Sequence, residues 1–132
     1  MYLADTYVLS EIRRRSPAAL RWARATDSSL VFVSVITLGE IAKGVSKLER
    51  TDPVAAGAFL IWLDRLRTEY ADRVLPIDAE VGIAWGRLMA ERTRPVADAL
   101  IAATAVVHRL AVVTRNVTGF ADTGLAVINP WA

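Results

Sequence analysis

Asp98 stands in the segment VADALIAATAVV, residues 96–107, where nearly every other side chain is apolar or small. This pattern predicts a helix that is buried on every face. An ionised carboxylate in a protein core needs a compensating partner, yet no Lys or Arg follows in this segment before Arg109. We therefore expect a metal ion to be the partner of Asp98.

Two other carboxylates follow apolar runs, and each also has a simpler explanation. Asp5 could cap the helix that follows it, and Glu40 stands three residues after Thr37, which is the spacing of a capping box. Ser34 is the better cap by position, and it would place Glu40 on the second turn. For Asp98, a favourable charge at a helix N-terminus is worth up to about 1 kcal/mol, which is too little to offset its burial unless Asp98 also has hydrogen-bonding partners.

The three acids also raise a question that separate capping roles do not. If Asp5, Glu40 and Asp98 meet at about 5 Å in one pocket, each pair costs roughly 3 kcal/mol at an effective dielectric constant near 20, so the pocket needs a cation. Hard oxygen ligands suit Mg²⁺ or Mn²⁺. Such an ion lowers the pKa of a bound water and stabilises the charge that builds up during phosphodiester cleavage. These acids are the predicted metal ligands.

Strands and helices are expected to alternate along the chain. Hydrophobic periodicity and capping residues predict strands at 2–5, 30–35, 73–77, 111–114 and 126–128, and helices at 7–15, 17–25, 36–48, 53–70, 79–92 and from Pro95 through 107. Without hairpin signals, this order favours a mostly parallel sheet covered on both faces, a three-layer α/β/α domain. Ligands bind beyond the carboxyl ends of such strands, where Asp5, Ser34 and Thr114 are expected.

Composition sets the outer limits. A chain of 132 residues fits one domain, residues 1–132, and the absence of Cys excludes a disulfide scaffold, thiolate metal ligands and thiol nucleophiles. The net charge is only +2, and the excess of Arg over Lys favours phosphate contact, although a high-GC genome gives the same bias. No apolar run approaches the roughly 20 residues of a membrane helix, and the opening residues do not resemble a secretory signal. We expect a soluble, cytoplasmic protein that does not contact a membrane.

Five blocks of sequence, taken together, resemble PIN-domain nucleases, specifically the VapC-type toxins of toxin-antitoxin pairs. They are LADT (3–6), SVITLGEIAKG (34–44), VADALIAATAVVHRL (96–110), VVTRN (112–116) and GLAVINPW (124–131). The resemblance implies a three-layer α/β nuclease fold and endoribonuclease activity that depends on Mg²⁺ or Mn²⁺. It also implies dimerisation and neutralisation by a cognate antitoxin, which inserts a segment near the active site.

The resemblance assigns catalytic roles by position. The matching residues are Asp5, Glu40 and Asp98 as acidic metal ligands, Thr6 as the adjacent hydroxyl, and Asn116 at the fourth acidic position. We expect Asn116 to hold a water or support a ligand, and the missing charge to weaken a second metal. Asp122 is the nearest acid that could substitute, but it is out of register with the motif.

Two departures from the family pattern bear on substrate choice. Tyr7 stands where many relatives have Asn, and an aromatic ring there could stack on a base or partly occlude the pocket. In addition, only residues 93–95 separate Arg92 from the helix of Asp98, where a longer loop is expected in relatives.

Substrate contacts are expected mainly from basic residues near the predicted site. Arg115 is the strongest choice for an RNA phosphate, and the full predicted set is Arg115, Thr114, Tyr7 and Lys43. For Lys47 and residues 13–15 an ordinary solvated face is the simpler explanation. The four Trp residues are expected in the core or an interface, and His108 is expected to be structural.

The leading hypothesis is an endoribonuclease toxin that cuts structured RNA, with tRNA or ribosomal RNA as targets. Its partners would be a second copy and a cognate antitoxin, with DNA contacted only through the antitoxin. A catalytically impaired PIN module that mainly binds its antitoxin is one alternative, kept open by Asn116 and Tyr7. A receiver or phosphatase with Asp5 as phosphoryl acceptor is another, although Tyr7 occupies the second acidic position that aspartyl phosphatases use.

Overall fold

Each strand is followed by one or two α-helices, except the last, in a computed structural model that describes residues 1–132. The strands are β1 Tyr2–Ala4, β2 Val31–Ser34, β3 Val74–Leu75, β4 Ala111–Val113 and β5 Val127–Ile128. The α-helices are α1 Thr6–Arg13, α2 Pro17–Ala25, α3 Val35–Leu48, α4 Pro53–Glu69, α5 Ala79–Glu91, α6 Val96–His108 and α7 Val117–Phe120. A short 3₁₀ helix, Ser28–Leu30, precedes β2.

The five strands form one parallel sheet in the order β3-β2-β1-β4-β5. β1 lies at the centre, where Leu3 is opposite Phe32 of β2 on one side and Val112 of β4 on the other. Neighbouring strand residues point to opposite faces, so Leu3 belongs to the hydrophobic cluster on one face and Ala4 to the cluster on the other. Both faces are therefore covered by helices, which confirms the three-layer α/β/α fold.

Local capping explains where several helices begin. The Ser34 side chain accepts a hydrogen bond from the Ile36 N–H at 3.0 Å, so Ser34 caps α3 as expected. Asp52 likewise accepts from the Ala55 N–H at 3.1 Å, with Pro53 at the first helical position. The cap at Ser34 places Glu40 on the second turn of α3, beyond the reach of a capping box.

The prediction that α6 is buried on every face is wrong. Ala103 and Ala105 are fully buried, but Val96 is 56% and Val106 40% exposed, and His108 lies on the surface. The physical reason is that α6 belongs to an outer layer: it packs on the sheet and along α5 and leaves its remaining side to solvent. An Ala- and Val-rich helix does not reveal from its sequence which side is covered.

The remaining differences are small. The predicted strands are one to three residues longer than the observed ones, and the 3₁₀ helix and α7 were not predicted because they are too short to show periodicity. No helix has the length and apolar character needed to cross a membrane.

Candidate active site

An open cavity of ≈ 400 Å³ lies beyond the carboxyl ends of β1 and β4. Asp5 follows β1, Glu40 comes from α3, and Asp98 from the first turn of α6. The fold thus brings the three predicted acids, which are far apart in the sequence, to one cavity. Its full lining is Asp5, Tyr7, Glu40, Asp98, Arg115 and Asn116.

Asp5 is the most buried of the three acids, at 9% exposed. One oxygen accepts a hydrogen bond from the Val8 N–H at 2.8 Å, so Asp5 does cap α1 while it lines the cavity. Burial raises the pKa of Asp5, and the nearby charges of Asp98 and Glu40 raise it further. Hydrogen bonds from Thr114 and Val8 act in the opposite direction. The carboxylate is therefore held in place but electrostatically uncompensated.

Thr114 does not line the cavity, and its contact with substrate stays a prediction. Its side chain is fully buried directly after β4. The hydroxyl oxygen accepts a hydrogen bond from the Asn116 N–H at 3.0 Å, and the hydroxyl donates to Asp5. These contacts place Thr114 behind the cavity, where it positions Asp5 and Asn116.

Glu40 lies between the cavity and an adjacent groove. The Thr6 hydroxyl donates to Glu40 Oε1 at 2.7 Å and lies 3.1 Å from the fully buried hydroxyl of Thr37. Thr6 lines the groove, not the cavity, so the predicted catalytic hydroxyl reaches the site through Glu40. Sequence reasoning did not assign Thr37 to the site; its position one turn before Glu40 on α3 is the signal that could have found it.

Asp98 is partly buried, and this burial raises its pKa. The short connection before α6 is held by Arg94, whose side chain is 3% exposed. The Arg94 guanidinium donates to the Leu88 carbonyl at 3.1 Å and to Asp122 at 2.9 Å. Asp122 also pairs with Arg92 at 2.6 Å, so it is engaged away from the cavity and cannot replace the missing fourth acid.

Asn116 lines the cavity and also caps α7. Its Oδ1 accepts hydrogen bonds from the Gly119 N–H at 3.3 Å and the Thr118 hydroxyl at 3.4 Å. A side chain at Gly119 would bring its Cβ to 2.5 Å from Asn116 Nδ2. Position 119 must therefore be Gly for the observed Asn116 conformation.

Arg115 is held at the cavity by two aromatic residues. Its Nη1 donates to the Tyr7 hydroxyl at 3.2 Å, and its guanidinium carbon lies 5.3 Å from the centre of the Trp131 ring. The rings of Tyr7 and Trp131 are themselves 5.7 Å apart. No chemistry was assigned to Trp131 from the sequence; the available signal was the block GLAVINPW, which ends at this residue.

The other predicted basic contacts lie elsewhere. Lys43 is exposed on α3 and does not line the cavity, and its contact with substrate stays a prediction. The Arg13 guanidinium packs over the Phe59 ring at 4.2 Å, and Arg14 pairs with Glu11 at 3.6 Å. Trp22, Trp62 and Trp85 pack against the two hydrophobic clusters, as expected.

The cavity offers the oxygen ligands that a hard divalent cation prefers. With Glu40 turned toward Thr6, no three acidic side chains are grouped tightly around a single point. Two features nevertheless fit such a cation: the donors are all carboxylates, and Asp5 is buried beside two like charges without any basic partner. Bound Mg²⁺ or Mn²⁺ would relieve that repulsion.

The chain is similar to known proteins over nearly its whole length. Residues 2–124 match the model of the family described as PIN domain. The chain is 34% identical to VapC ribonuclease Y4jK of Sinorhizobium fredii, across 99% of this chain and 98% of that protein. It is similar to a chain in the structure of FitAB bound to IR36 DNA fragment, with a TM-score of 0.87 and 29% identity over 100% of this chain and 96% of that one. It is also similar to a chain in the crystal structure of FitAcB from Neisseria gonorrhoeae, with a TM-score of 0.84 and 31% identity over 99% of both. The chain therefore belongs to the PIN domain family.

Proposed function

We propose that the chain is the toxin of a toxin-antitoxin pair and that it is a metal-dependent endoribonuclease acting on structured RNA such as tRNA or ribosomal RNA. One observation carries this proposal: the buried Asp5, together with Glu40 and Asp98, lines a single open cavity. The relative named VapC ribonuclease Y4jK, which matches almost the full chain, supports the RNA-cleaving part.

The residues of the cavity have different roles. Asp5, Asp98 and Glu40 would hold a Mg²⁺ or Mn²⁺ ion, which would supply an activated water and neutralise charge on the phosphate. Asp5 is oriented for this by Thr114 and by the start of α1. Arg115, at the edge of the cavity, binds a phosphate of the RNA.

An antitoxin and a second copy of the chain complete the proposal. The FitAB structure contains DNA, and by analogy the present chain would contact DNA only through its antitoxin. The surface favours protein partners, because large apolar side chains are exposed on α4 and α5: Leu60 at 46%, Ile61 at 57% and Ile83 at 58%. The homodimer and the toxin-antitoxin complex would cover such surfaces.

The direct test is a cleavage assay on total tRNA and ribosomal RNA with the purified chain, with Mg²⁺, with Mn²⁺ and with a chelator. We expect fragments only with the divalent ions, and none with Asp98→Asn. Asp64→Asn is the matched control, because Asp64 is an exposed acid outside the cavity. If wild-type protein leaves every RNA intact with both metals, the enzymatic part of the proposal is wrong.

A second candidate function is a PIN module that has lost most of its activity and acts mainly by binding its antitoxin. The observation that favours it is that Asn116 stands at the fourth acidic position and uses its carbonyl oxygen to cap α7. Intact RNA in the cleavage assay, together with tight binding of the partner encoded beside this gene, would favour this candidate. Membership of the PIN family replaces the receiver or phosphatase alternative.

A further inference from the structure

We propose that Trp131 is a positioning residue that holds the Arg115 guanidinium at the opening of the acidic cavity, where the guanidinium binds a phosphate of the RNA next to the cleaved bond. The proposal rests on the ribonuclease function proposed above and assigns a role to a residue that lies outside the cavity lining.

The first supporting observation is that the Trp131 ring is itself fixed. The backbone N–H of Trp131 donates to Asn129 Oδ1 at 3.0 Å, and the backbone N–H of Ala132 donates to the Asn129 carbonyl at 3.1 Å. These hydrogen bonds form a compact turn that carries the ring. The turn is joined to the sheet directly before it, where the Thr114 N–H donates to the Ile128 carbonyl at 2.9 Å. The indole also packs against the hydrophobic cluster that contains Ala4 and Val113.

The second observation is that Arg115 makes no salt bridge, although it borders a cavity with three carboxylates. A flexible Arg in that position would be expected to pair with one of them. Arg115 instead contacts the Tyr7 hydroxyl and the Trp131 ring, and the distance to the ring is within the range of a cation–π interaction. The two aromatic residues therefore hold the guanidinium away from the acids.

This arrangement leaves the guanidinium available to a ligand. Only one of its N–H donors is used, at the Tyr7 hydroxyl, so the others can form a bidentate pair with phosphate. Fixing the side chain before RNA arrives lowers the entropy lost on binding. It also leaves the carboxylates free for the cation.

A different role for Trp131 would be direct stacking on an RNA base. The two roles predict different coupling between Trp131 and Arg115. If Trp131 acts through Arg115, its removal matters only while Arg115 is present. If Trp131 stacks on a base, its removal costs the same affinity in both cases.

The experiment is a double-mutant cycle on RNA binding in the Asp98→Asn background, where cleavage is blocked. A labelled RNA hairpin with a single-stranded loop is titrated with the background protein, and with Trp131→Leu, Arg115→Ala and the double variant. We expect Trp131→Leu to weaken binding about three- to tenfold, and to have no effect once Arg115 is Ala. We also expect the salt dependence of binding to fall, by up to about 0.7 in the logarithmic slope for one phosphate contact, although Trp131→Leu removes no charge.

Two further variants separate positioning from general damage to the fold. Trp22→Leu is the matched control, because Trp22 is another partly buried Trp on the same hydrophobic cluster, and it should change the melting temperature but not RNA binding. Trp131→Phe keeps an aromatic face and should retain most of the affinity. An equal loss from Trp131→Leu in both backgrounds, or an equal loss from Trp22→Leu, overturns the proposal. If the wild type neither binds nor cleaves RNA, the proposed function fails first, whatever Trp131 does.

Discussion

At the scale of single residues, buried hydroxyls determine where the acidic groups lie. Thr114 connects the Asp5 side chain to the backbone of Asn116, and Thr37 lies behind the Thr6 hydroxyl that contacts Glu40. Neither Thr114 nor Thr37 was expected to have such a role from its place in the sequence. Each acts across elements that are far apart along the chain, so the interaction becomes visible only when the sheet is assembled.

Replacing Thr114 by Val tests this positioning role. The variant keeps the shape of the side chain but leaves the Asn116 N–H without an acceptor, and it leaves the Asp5 carboxylate with only the hydrogen bond from the Val8 N–H. We expect the free energy of unfolding to fall by about 1–3 kcal/mol and RNA cleavage to fall as well. Chemical denaturation and the cleavage rate are the measurements.

Thr104→Val is the control for that experiment. Thr104 is also fully buried, but its hydroxyl donates to the Leu100 carbonyl within α6 at 2.8 Å, away from the cavity. It should lower stability and leave the cleavage rate per folded molecule unchanged. An equal loss of activity from both variants would contradict a positioning role for Thr114.

Gly119 gives a second prediction at this scale. A methyl group there would collide with the Asn116 side chain, so Gly119→Ala should displace Asn116 and remove the α7 cap, at a cost of about 1 kcal/mol. In an Asn116→Ala background the collision is absent, and Ala is a better helix former than Gly, so the same change should be neutral or stabilising. Thermal denaturation of the four proteins measures this coupling, and additive effects would contradict it.

At the scale of elements, the position of α6 decides where Asp98 lies. A short connection leads directly into the helix, and the Arg94 side chain joins that connection to the end of α5 and to Asp122. The sequence predicted α6 and the position of Asp98 near its start. It did not predict that α6 is open to solvent on one side, because its small apolar residues are compatible with either environment.

Substituting Arg94 by Ala should loosen the start of α6. The variant removes a buried guanidinium that makes hydrogen bonds to Leu88, Glu91 and Asp122, so we expect a loss of about 2–4 kcal/mol in the free energy of unfolding. Arg92→Ala is the matched control, since Arg92 pairs with the same Asp122 but is 42% exposed. Its effect in urea denaturation should be much smaller. Equal effects would mean that burial of Arg94 is unimportant.

At the scale of the whole molecule, the parallel sheet explains which residues of the site could be predicted from the sequence and which contacts could not. Asp5 was expected at one edge because strand ends meet there, and Asp98 because a covering helix begins there, whereas Asn116 was assigned only by the family resemblance. The contact of Trp131 with Arg115 depends on the turn after β5, for which the sequence offered only a weak signal. Periodicity thus predicts layers and edges, whereas contacts made by turns require the assembled fold.

Stability should also depend on pH through Asp122. Arg92 and Arg94 hold the pKa of Asp122 far below its usual range, so its contribution is complete above the unfolded-state pKa near 3.9 and is lost as the pH falls below it. Asp122→Asn should therefore be less stable than the wild type at neutral pH, and the difference should shrink between about pH 5 and pH 2. Urea denaturation across this range measures it. Asp64→Asn is the control, and a difference that grows in acid would contradict the assignment.

The central place of β1 has a consequence for the order in which the molecule forms. Asp5 receives its hydrogen bond from Thr114, and its own N–H donates to the Val113 carbonyl at 3.0 Å, so residues from the beginning and near the end of the chain build the same cavity. During synthesis the first strand must wait for β4 to leave the ribosome, and such distant pairing is slow. A growing polypeptide consequently has no assembled cavity until β4 has been synthesised.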